Sequence, residues 1–288
     1  MNNKTKIVSI VVLTAMILMA AGCVGNEEPL DNTKQATIGY VLWDGEIAST
    51  NVMKLVLEQA GYEVEIISVD AGPLYQGLAN GQFDFTTSAW LPHTHGHYME
   101  QYGDDFVEVS TNLEGCKIGL VVPEYVTIDS IEEMNDVRDE FNGRITGIEP
   151  GAGIMTATEN AIEVYDLEYE LVSSSSAGMA TELRTAIANG DWIAVTGWSP
   201  HWKFERWDLK YLEDPEMVYG GEEYVATLAR AGLQEDKPEL YGIISRFYWT
   251  QEDIQSVMVD LESGMSEEEA AQKWVDNNPD KVNEWIGA

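Results

Sequence analysis

The chain alternates between short apolar runs and longer segments whose apolar positions recur at helical spacing. Its first part contains three strands and two helices in alternation, predicted at residues 38–43, 51–60, 64–69, 72–80 and 83–90. The helix at residues 51–60 has Ser49 or Thr50 as its predicted cap and Gly61 as its stop. Alternation of this kind predicts a parallel sheet covered by helices on both faces.

A second series of the same kind follows. Its elements are predicted at residues 117–122, 144–148, 154–164, 170–173, 177–188 and 192–197. The tail at residues 249–286 has helical spacing, with Thr250 as its cap. A length of 288 residues is enough for roughly two domains of ordinary size. We therefore predict an α/β protein of two lobes.

Two stretches of the chain repeat one another in residue type and spacing. The first runs from Ala71-Gly72 through Leu78-Ala-Asn-Gly81 to Trp90-Leu-Pro-His93, and the second from Ala177-Gly178 through Ile187-Ala-Asn-Gly190 to Trp198-Ser-Pro-His201. Each copy places Trp-x-Pro-His at the carboxyl end of a predicted strand, where open α/β sheets bind their ligands. The repeat predicts one ligand cleft between two similar lobes.

Three tryptophans, Trp43, Trp90 and Trp198, lie where a predicted strand gives way to a loop. Three indole faces can enclose a quaternary ammonium group, which has no N–H to donate and so cannot be held by hydrogen bonds. Cation–π attraction holds such a cation, at roughly 0.5–2 kcal/mol per ring once it is desolvated. The remaining tryptophans are predicted to pack in the core: Trp192, Trp202, Trp207, Trp249, Trp274 and Trp285.

A glycine-rich turn at residues 149–156 joins a predicted strand to a predicted helix. Such a turn exposes backbone N–H groups beside the positive end of the helix dipole, an arrangement that binds anions. It lacks the G-x-G-x-x-G spacing, so dinucleotide binding is poorly supported. Beside a box for a cation, we interpret the turn as the site of a carboxylate.

The charge balance excludes several classes of partner. The chain has 50 acidic and 16 basic residues and a formal net charge of −34. A chain this acidic repels nucleic acid and anionic membrane surfaces. An apolar content of 44% with nine tryptophans disfavours disorder. We interpret the acidity as a solvated surface, which keeps a protein soluble in salt.

The N-terminus has the pattern of a targeting segment. At residues 1–22 two lysines precede an apolar stretch of about 15 residues, which is too short to span a membrane and typical of a signal peptide. Small residues before Cys23 resemble a lipobox. Cys23 is therefore predicted to carry a lipid, with residues 23–36 as a tether at the outer face of the cell membrane. Secretion without the lipid is the alternative. Cys116, left without a partner, is predicted to be a small buried apolar residue.

Four longer motifs carry a resemblance to a known family. They are GYVLWDGEIASTN at residues 39–51, AWLPHTH at 89–95, PGAGIM at 150–155 and TGWSPHW at 196–202. These motifs resemble the glycine betaine-binding proteins of ABC transporters, and the resemblance covers nearly all of the mature chain. It implies the two-lobed, type II periplasmic-binding-protein fold, known as the Venus flytrap. We expect lobe I at residues 37–121 and 225–288, and lobe II at residues 122–224.

The resemblance also implies the ligand-binding residues and their roles. It gives Trp43, Trp90 and Trp198 as the aromatic box, and His95 with the backbone N–H groups of Gly153 and Ile154 as the partners of the ligand's carboxylate. The implied function is capture of glycine betaine or proline betaine and delivery to a permease driven by an ATPase, for osmoprotection. No enzymatic activity, catalytic residue, metal or cofactor is implied.

Three alternatives stay open. A choline- or carnitine-type amine would use the same cation box. A metal-binding solute receptor is a second rival, because His93, His95 and His97 would share one side of an extended segment and imidazole is a common metal ligand. An enzyme is disfavoured, because the sequence has no nucleophile elbow, Walker loop or zinc-hydrolase signature.

Overall fold

The computed structural model describes residues 34–288. The predicted signal peptide at 1–22 and the predicted lipid site at Cys23 lie outside the described residues. Only the end of the predicted tether at 23–36 is described, and there Gln35 and Ala36 already belong to the first strand. No helix within residues 34–288 is both long and apolar enough to cross a bilayer.

Strands and helices alternate along most of the described chain. The strands are β1 (Gln35–Tyr40), β2 (Glu63–Ser68), β3 (Phe85–Leu91), β4 (Phe106–Pro123), β5 (Arg144–Thr146), β6 (Glu170–Val172), β7 (Ala194–Ser199), β8 (Leu209–Tyr211) and β9 (Glu223–Arg230). The helices are α1 (Asp44–Gln59), α2 (Ala71–Ala79), α3 (Gly96–Tyr102), α4 (Gly153–Val164), α5 (Ser176–Asn189), α6 (Trp202–Arg206), α7 (Leu233–Asp236), α8 (Pro238–Arg246), α9 (Gln251–Glu262), α10 (Glu267–Asn277) and α11 (Pro279–Ile286).

The strands form one hydrogen-bonded path in the order β2-β1-β3-β9-β4-β7-β5-β6, with β8 paired to β4. Strand β1 runs parallel to β2 and β3, and β5 runs parallel to β6 and β7. Strands β4 and β9 run antiparallel to their neighbours. The predicted α/β class is confirmed, and the order divides the sheet into two groups. We call β1, β2, β3 and β9 the strands of the first lobe, and β5 to β8 those of the second.

Strand β4 joins the two lobes. It pairs with β9 from Phe106 to Cys116 and with β7 from Lys117 onward. One strand therefore contributes to both lobes, and the chain returns to the first lobe at Glu223, where β9 begins. These two crossings are where relative motion of the lobes would concentrate. The boundaries predicted at residues 121/122 and 224/225 stay predictions.

Helix α1 begins earlier than the sequence pattern predicted. It starts at Asp44 rather than Asn51, so Ser49 and Thr50 lie inside the helix and are not its cap. The ionised carboxylate of Asp44 in the first turn suits the positive end of the helix dipole. Buried Ser49 is satisfied by the Glu46 carbonyl and the Thr87 hydroxyl. The early start matters for function, because Trp43 becomes the residue immediately before the helix.

The core contains several of the tryptophans predicted to lie there. Trp249, Trp274 and Trp285 are buried among the C-terminal helices, and Trp274 stacks on Trp285 with ring centroids 5.4 Å apart. Cys116 is unpaired and fully buried, as predicted, and burial raises the pKa of its thiol to about 12. A thiol held in that form behaves as a small apolar residue.

Candidate functional site

One cavity brings together residues from both lobes. The volume of this cavity is about 50 Å³. That size suits a small solute and not a peptide. Every residue that the sequence analysis assigned to the ligand lines this cavity: Trp43, Trp90, Trp198, His95, Gly153 and Ile154. The first lobe supplies Trp43, Trp90 and His95, and the second lobe supplies the other three.

The three tryptophans reach the cavity from the ends of strands. Trp43 follows β1 and precedes α1, Trp90 lies next to the last residue of β3, and Trp198 lies next to the last residue of β7. In both copies of the repeat the proline after the tryptophan has a cis peptide bond, at Leu91–Pro92 and Ser199–Pro200. The repeat seen in the sequence is therefore also a repeat of local structure.

Trp43 is fixed at the cavity wall by two contacts. Its indole N–H donates to the carboxylate of Glu149, which belongs to the second lobe. Its ring stacks on His95, with centroids 5.6 Å apart and planes inclined by only 12°. Glu149 is the first residue of the glycine-rich turn, and the sequence assigns it no role because a lone acid beside a turn gives no sign of a distant indole partner.

His95 is held as a neutral hydrogen-bond donor. Its Nδ1 atom accepts from the backbone N–H of Trp90 at 2.9 Å, which places the ring proton on Nε2. The side chain is 1% exposed, and Nε2 has no hydrogen-bond partner within the described part of the chain. Burial, with a smaller contribution from His97, lowers the pKa of His95 to about 3. The imidazole is therefore uncharged at neutral pH, with one N–H left to donate.

The N-terminus of α4 forms another wall of the cavity. Gly153 and Ile154 are its first two residues, and no side chain caps this end of the helix. The first N–H groups of a helix have no partner inside the helix. Gly153 is required by space, since a Cβ atom there would lie 2.1 Å from the carbonyl oxygen of Thr94. The two lobes thus make close backbone contact beside the cavity.

A polar side of the cavity was missed by the sequence analysis. It comprises Glu46 and Ser49 from α1, Thr87 and Ser88 from β3, and Asn112 from β4. Glu46 is 1% exposed, accepts from Thr86 Oγ1 at 3.3 Å, and leaves its Oε2 atom without a partner among the described residues. Burial raises the pKa of Glu46 well above its ordinary value. The only available signal was its place one helical turn after Trp43, which the later predicted start of α1 concealed.

The three histidines of the His-x-His-x-His segment do not converge. His93 and His97 are exposed while His95 is buried. His97 packs against Tyr98, with ring centroids 3.9 Å apart. Within residues 34–288 no group of three or more metal-binding side chains is placed to hold an ion. The geometry does not favour the metal-receptor alternative.

A network of polar contacts joins the lobes beside the cavity. Asp44, at the start of α1, accepts from the Trp202 indole at 2.7 Å and from Ser176 Oγ at 3.3 Å, and lies 3.2 Å from His201 Nε2. Burial would raise the pKa of Asp44, but the hydrogen bonds and the nearby Lys203 ammonium hold it below its usual range. Burial also lowers the pKa of His201 to about 4. The network is therefore an ionised carboxylate surrounded by neutral donors and one ammonium.

The comparison with protein families gives a match over most of the chain. Residues 34–277 match the family described as the substrate binding domain of ABC-type glycine betaine transport systems. A relative from Listeria monocytogenes, the glycine betaine/carnitine transport binding protein GbuC, is 46% identical over 162 residues. That alignment covers 55% of this chain and 54% of GbuC, so the chain spans about half the length of this relative.

Solved structures are similar over longer stretches. Lactococcal OpuAC in its closed form with glycine betaine has a TM-score of 0.85 at 40% identity, covering 88% of this chain and 99% of that one. ProX from Borrelia burgdorferi has a TM-score of 0.85 at 42% identity, covering 88% and 96%. A choline-binding protein in complex with choline has a TM-score of 0.84 at 27% identity, covering 89% and 92%. The match over residues 34–277 shows that this chain belongs to the family of substrate-binding domains of ABC-type glycine betaine transport systems, with their two-lobed, type II periplasmic-binding-protein fold.

Proposed function

We propose that the chain is the solute receptor of an ABC importer and captures glycine betaine, or a closely related betaine, outside the cytoplasm. One observation carries the proposal. A single cavity contains three tryptophans together with neutral N–H donors from His95 and the start of α4. This combination suits a molecule with a quaternary cation at one end and a carboxylate at the other. The family consists of binding domains and not enzymes.

The tryptophans would form the cation pole. A trimethylammonium group offers only methyl groups with a diffuse positive charge, so aromatic faces recognise it better than hydrogen-bond acceptors. Trp43 and Trp198 are 8% and 7% exposed, so their rings are already removed from water. Cation–π attraction is strongest when the ring and the cation are desolvated. Binding a cation between these rings therefore requires little further removal of water from the protein.

His95 and the first turn of α4 would form the anion pole. The Nε2–H group of His95 and the backbone N–H groups of Gly153 and Ile154 are donors that the described residues leave for a ligand. Hydrogen bonds to a charged acceptor are stronger than neutral ones. Glu46 in its protonated form adds no negative charge that would repel the carboxylate. Choline lacks a carboxylate, so this pole favours betaines.

Binding would close the two lobes over the ligand. The cation box needs Trp43 and Trp90 from the first lobe and Trp198 from the second, and the anion pole also draws on both. Only a closed state offers all of these contacts, so binding energy shifts the protein toward that state. We assign lobe I to residues 37–121 and 225–288, and lobe II to residues 122–224.

The closed receptor would then dock on a membrane permease driven by an ATPase, and the imported betaine would protect the cell against osmotic stress. Removal of a signal peptide at residues 1–22 and lipidation of Cys23 would hold it on the outer face of the membrane, with residues 23–36 as the tether. Choline or carnitine is the second candidate ligand. The Listeria relative is named for carnitine as well as glycine betaine, and a choline-binding structure shares the fold at 27% identity.

Calorimetric titration tests the proposal directly. Glycine betaine, proline betaine, carnitine and choline would be titrated into the purified mature protein, with zinc and nickel ions in parallel. We expect saturable 1:1 binding of the betaines, weaker binding of choline, and no metal binding. A protein that binds a metal ion and no quaternary amine would overturn the proposal.

A further inference from the structure

Lys203 is a fully buried ammonium on the cavity's aromatic wall. It lies in α6, five residues after Trp198, and is 0% exposed. Its Nζ atom lies 4.2 Å from the centroid of the Trp198 ring and has no hydrogen-bond partner within the described residues. A buried cation normally has hydrogen-bonded partners, since leaving water is costly for a charge. Here the principal direct contact is the face of an indole.

The Lys203 ammonium covers one face of the Trp198 ring, with Nζ 4.2 Å from the ring centroid. Trp198 lines the cavity, whereas Lys203 does not. The ring face that Lys203 covers is therefore closed to a ligand, and a cation in the cavity would meet the remaining surface of the same indole. The Trp198 ring is thus in contact with one cation before any ligand binds.

The surroundings offset this charge only in part. Asp44 is the carboxylate that acts on Lys203, and its oxygens already accept from Trp202 and Ser176 and contact His201. Burial lowers the pKa of Lys203 to about 7, although Asp44 acts in the opposite direction. A substantial fraction of Lys203 is therefore charged at neutral pH, without a dedicated hydrogen-bonded partner.

We propose that Lys203 limits how tightly the box holds a quaternary cation, because it shares the Trp198 ring with the ligand. This inference rests on the proposed function of the cavity. A cation on one face polarises the ring toward itself, which leaves less negative charge for the other face. The two cations also repel each other across the ring. Within a protein interior, repulsion between unit charges at about twice the Lys203–Trp198 distance would change the affinity by more than about tenfold if Lys203 stayed charged. Binding can instead displace the proton from Lys203, so the loss is smaller near the pKa of Lys203 and grows as the pH falls.

Replacement of Lys203 by an uncharged side chain of similar length tests the inference. The variants Lys203→Met and Lys203→Gln would be titrated with tetramethylammonium, which probes the box alone, and with glycine betaine. We expect both variants to bind both ligands more tightly than wild type, by up to about twofold at pH 7 and by about tenfold at pH 6, where almost all of the wild-type Lys203 is charged. A purely structural role for Lys203 would instead give a loss of affinity, so the sign of the change separates the two roles.

Lys117→Met is the matched control. Lys117 also stands over an aromatic ring, with Nζ 4.5 Å from the Tyr211 centroid, but Tyr211 does not line the cavity. The substitution removes the same charge from an exposed position, and we expect no change in affinity. A gain equal to that of Lys203→Met would mean that net charge, and not the shared ring, controls binding.

The remaining outcomes are also decisive. Unchanged or weaker binding by the Lys203 variants, alongside a wild type that binds, overturns this inference and leaves the proposed function intact. Loss of folding in both variants, measured by circular dichroism, would show that the ammonium holds the fold together and would equally overturn it. A wild type that binds neither ligand contradicts the proposed function, and this inference with it.

Discussion

The indole N–H of Trp202 donates to Asp44 Oδ1 at 2.7 Å, which ties the first residue of α1 to the first residue of α6. The two residues belong to different lobes, and each lies close in sequence to a tryptophan of the proposed box. Trp43 precedes Asp44, and Trp198 lies four residues before Trp202. The contact that joins the lobes is thus built next to the residues proposed to hold the ligand, so closure and binding share one region.

Replacing Asp44 by Asn should weaken binding of every ligand by a similar factor. The charged acceptor for Trp202 and Ser176 is lost, and hydrogen bonds to a charged group are worth about 1.5–3 kcal/mol. The closed state would lose that stabilisation, so we expect about a tenfold loss of affinity for both glycine betaine and choline. Calorimetry gives the two affinities, and the exposed Asp104→Ala variant is the control. A loss confined to one ligand would contradict a role in closure.

His95→Ala should reduce the affinity for glycine betaine more than that for choline. The Nε2–H donor is proposed to serve the carboxylate, which only the betaine carries, so we expect the betaine-to-choline affinity ratio to fall by about tenfold. His97→Ala is the control, because His97 is exposed two residues away and does not line the cavity. Equal losses for the two ligands would show that His95 does not contact the anion.

Trp198→Ala should weaken binding of betaines and choline alike, by at least about tenfold. The substitution removes one of the three proposed aromatic faces. Betaines and choline both carry the quaternary ammonium group that contacts this face, so both should lose affinity. Trp192→Ala serves as the control for general damage, since Trp192 packs against Phe141 with centroids 5.2 Å apart and does not line the cavity. Unchanged affinity in Trp198→Ala would refute the box.

Glu223 holds the loop that carries His95. Replacing Glu223 should therefore lower ligand affinity, although Glu223 does not line the cavity. Its carboxylate accepts from the backbone N–H groups of His93 and Thr94 at 2.9 and 2.7 Å, and from Thr94 Oγ1 at 2.5 Å. Glu223→Ala should lower betaine affinity by about tenfold, because buried N–H groups lose their acceptor and the loop relaxes. Glu223→Gln keeps a carbonyl acceptor and should bind nearly as wild type does. If Glu223→Gln lowers betaine affinity as much as Glu223→Ala does, loss of these hydrogen bonds is not the reason for the weaker binding.

The sequence predicted features that depend on residues close together in the chain, and it missed those that depend on contacts between distant segments. The three tryptophans were proposed because they lie at strand ends, and His95, Gly153 and Ile154 because longer motifs resemble a family. All six residues line one cavity. Strand β9 and the first part of β4 were missed, since their pairing joins residues 106–116 to a segment more than a hundred residues later. No local periodicity records such a partner.

The missed polar residues have a similar explanation. Asp44, Glu149 and Glu223 are three of 50 acids, and an acid in a sequence this acidic is most simply interpreted as solvated. Each instead accepts hydrogen bonds from a distant segment: Trp202, Trp43 and the His93–Thr94 loop. The side chain's surroundings decide its role, and the fold supplies them. The resemblance to a family implied the proposed ligand contacts but not the residues that hold those side chains in place.

The stability of the unliganded protein should fall as the pH is lowered from 6 to 5. The folded-state pKa values of His95 and His201 are about 3 and about 4, against an ordinary value of 6.5. At these two histidines the unfolded chain therefore holds about 1.5 more protons than the folded chain at pH 6 and almost two more at pH 5. Glu46 acts in the opposite sense, because its raised pKa keeps one proton on the folded chain that the unfolded chain mostly releases above pH 4.5.

The difference is about one proton, so the free energy of unfolding should drop by about 1.4 kcal/mol per pH unit in this range. Urea unfolding at pH 6.0, 5.5 and 5.0 measures the slope. Glu46→Gln removes the opposing group and should steepen the slope toward two protons, about 2.7 kcal/mol per unit. His93→Ala is the matched control, since it removes an imidazole from an exposed position. A flat profile in Glu46→Gln would mean that His95 and His201 titrate in the folded protein as they do in the unfolded chain.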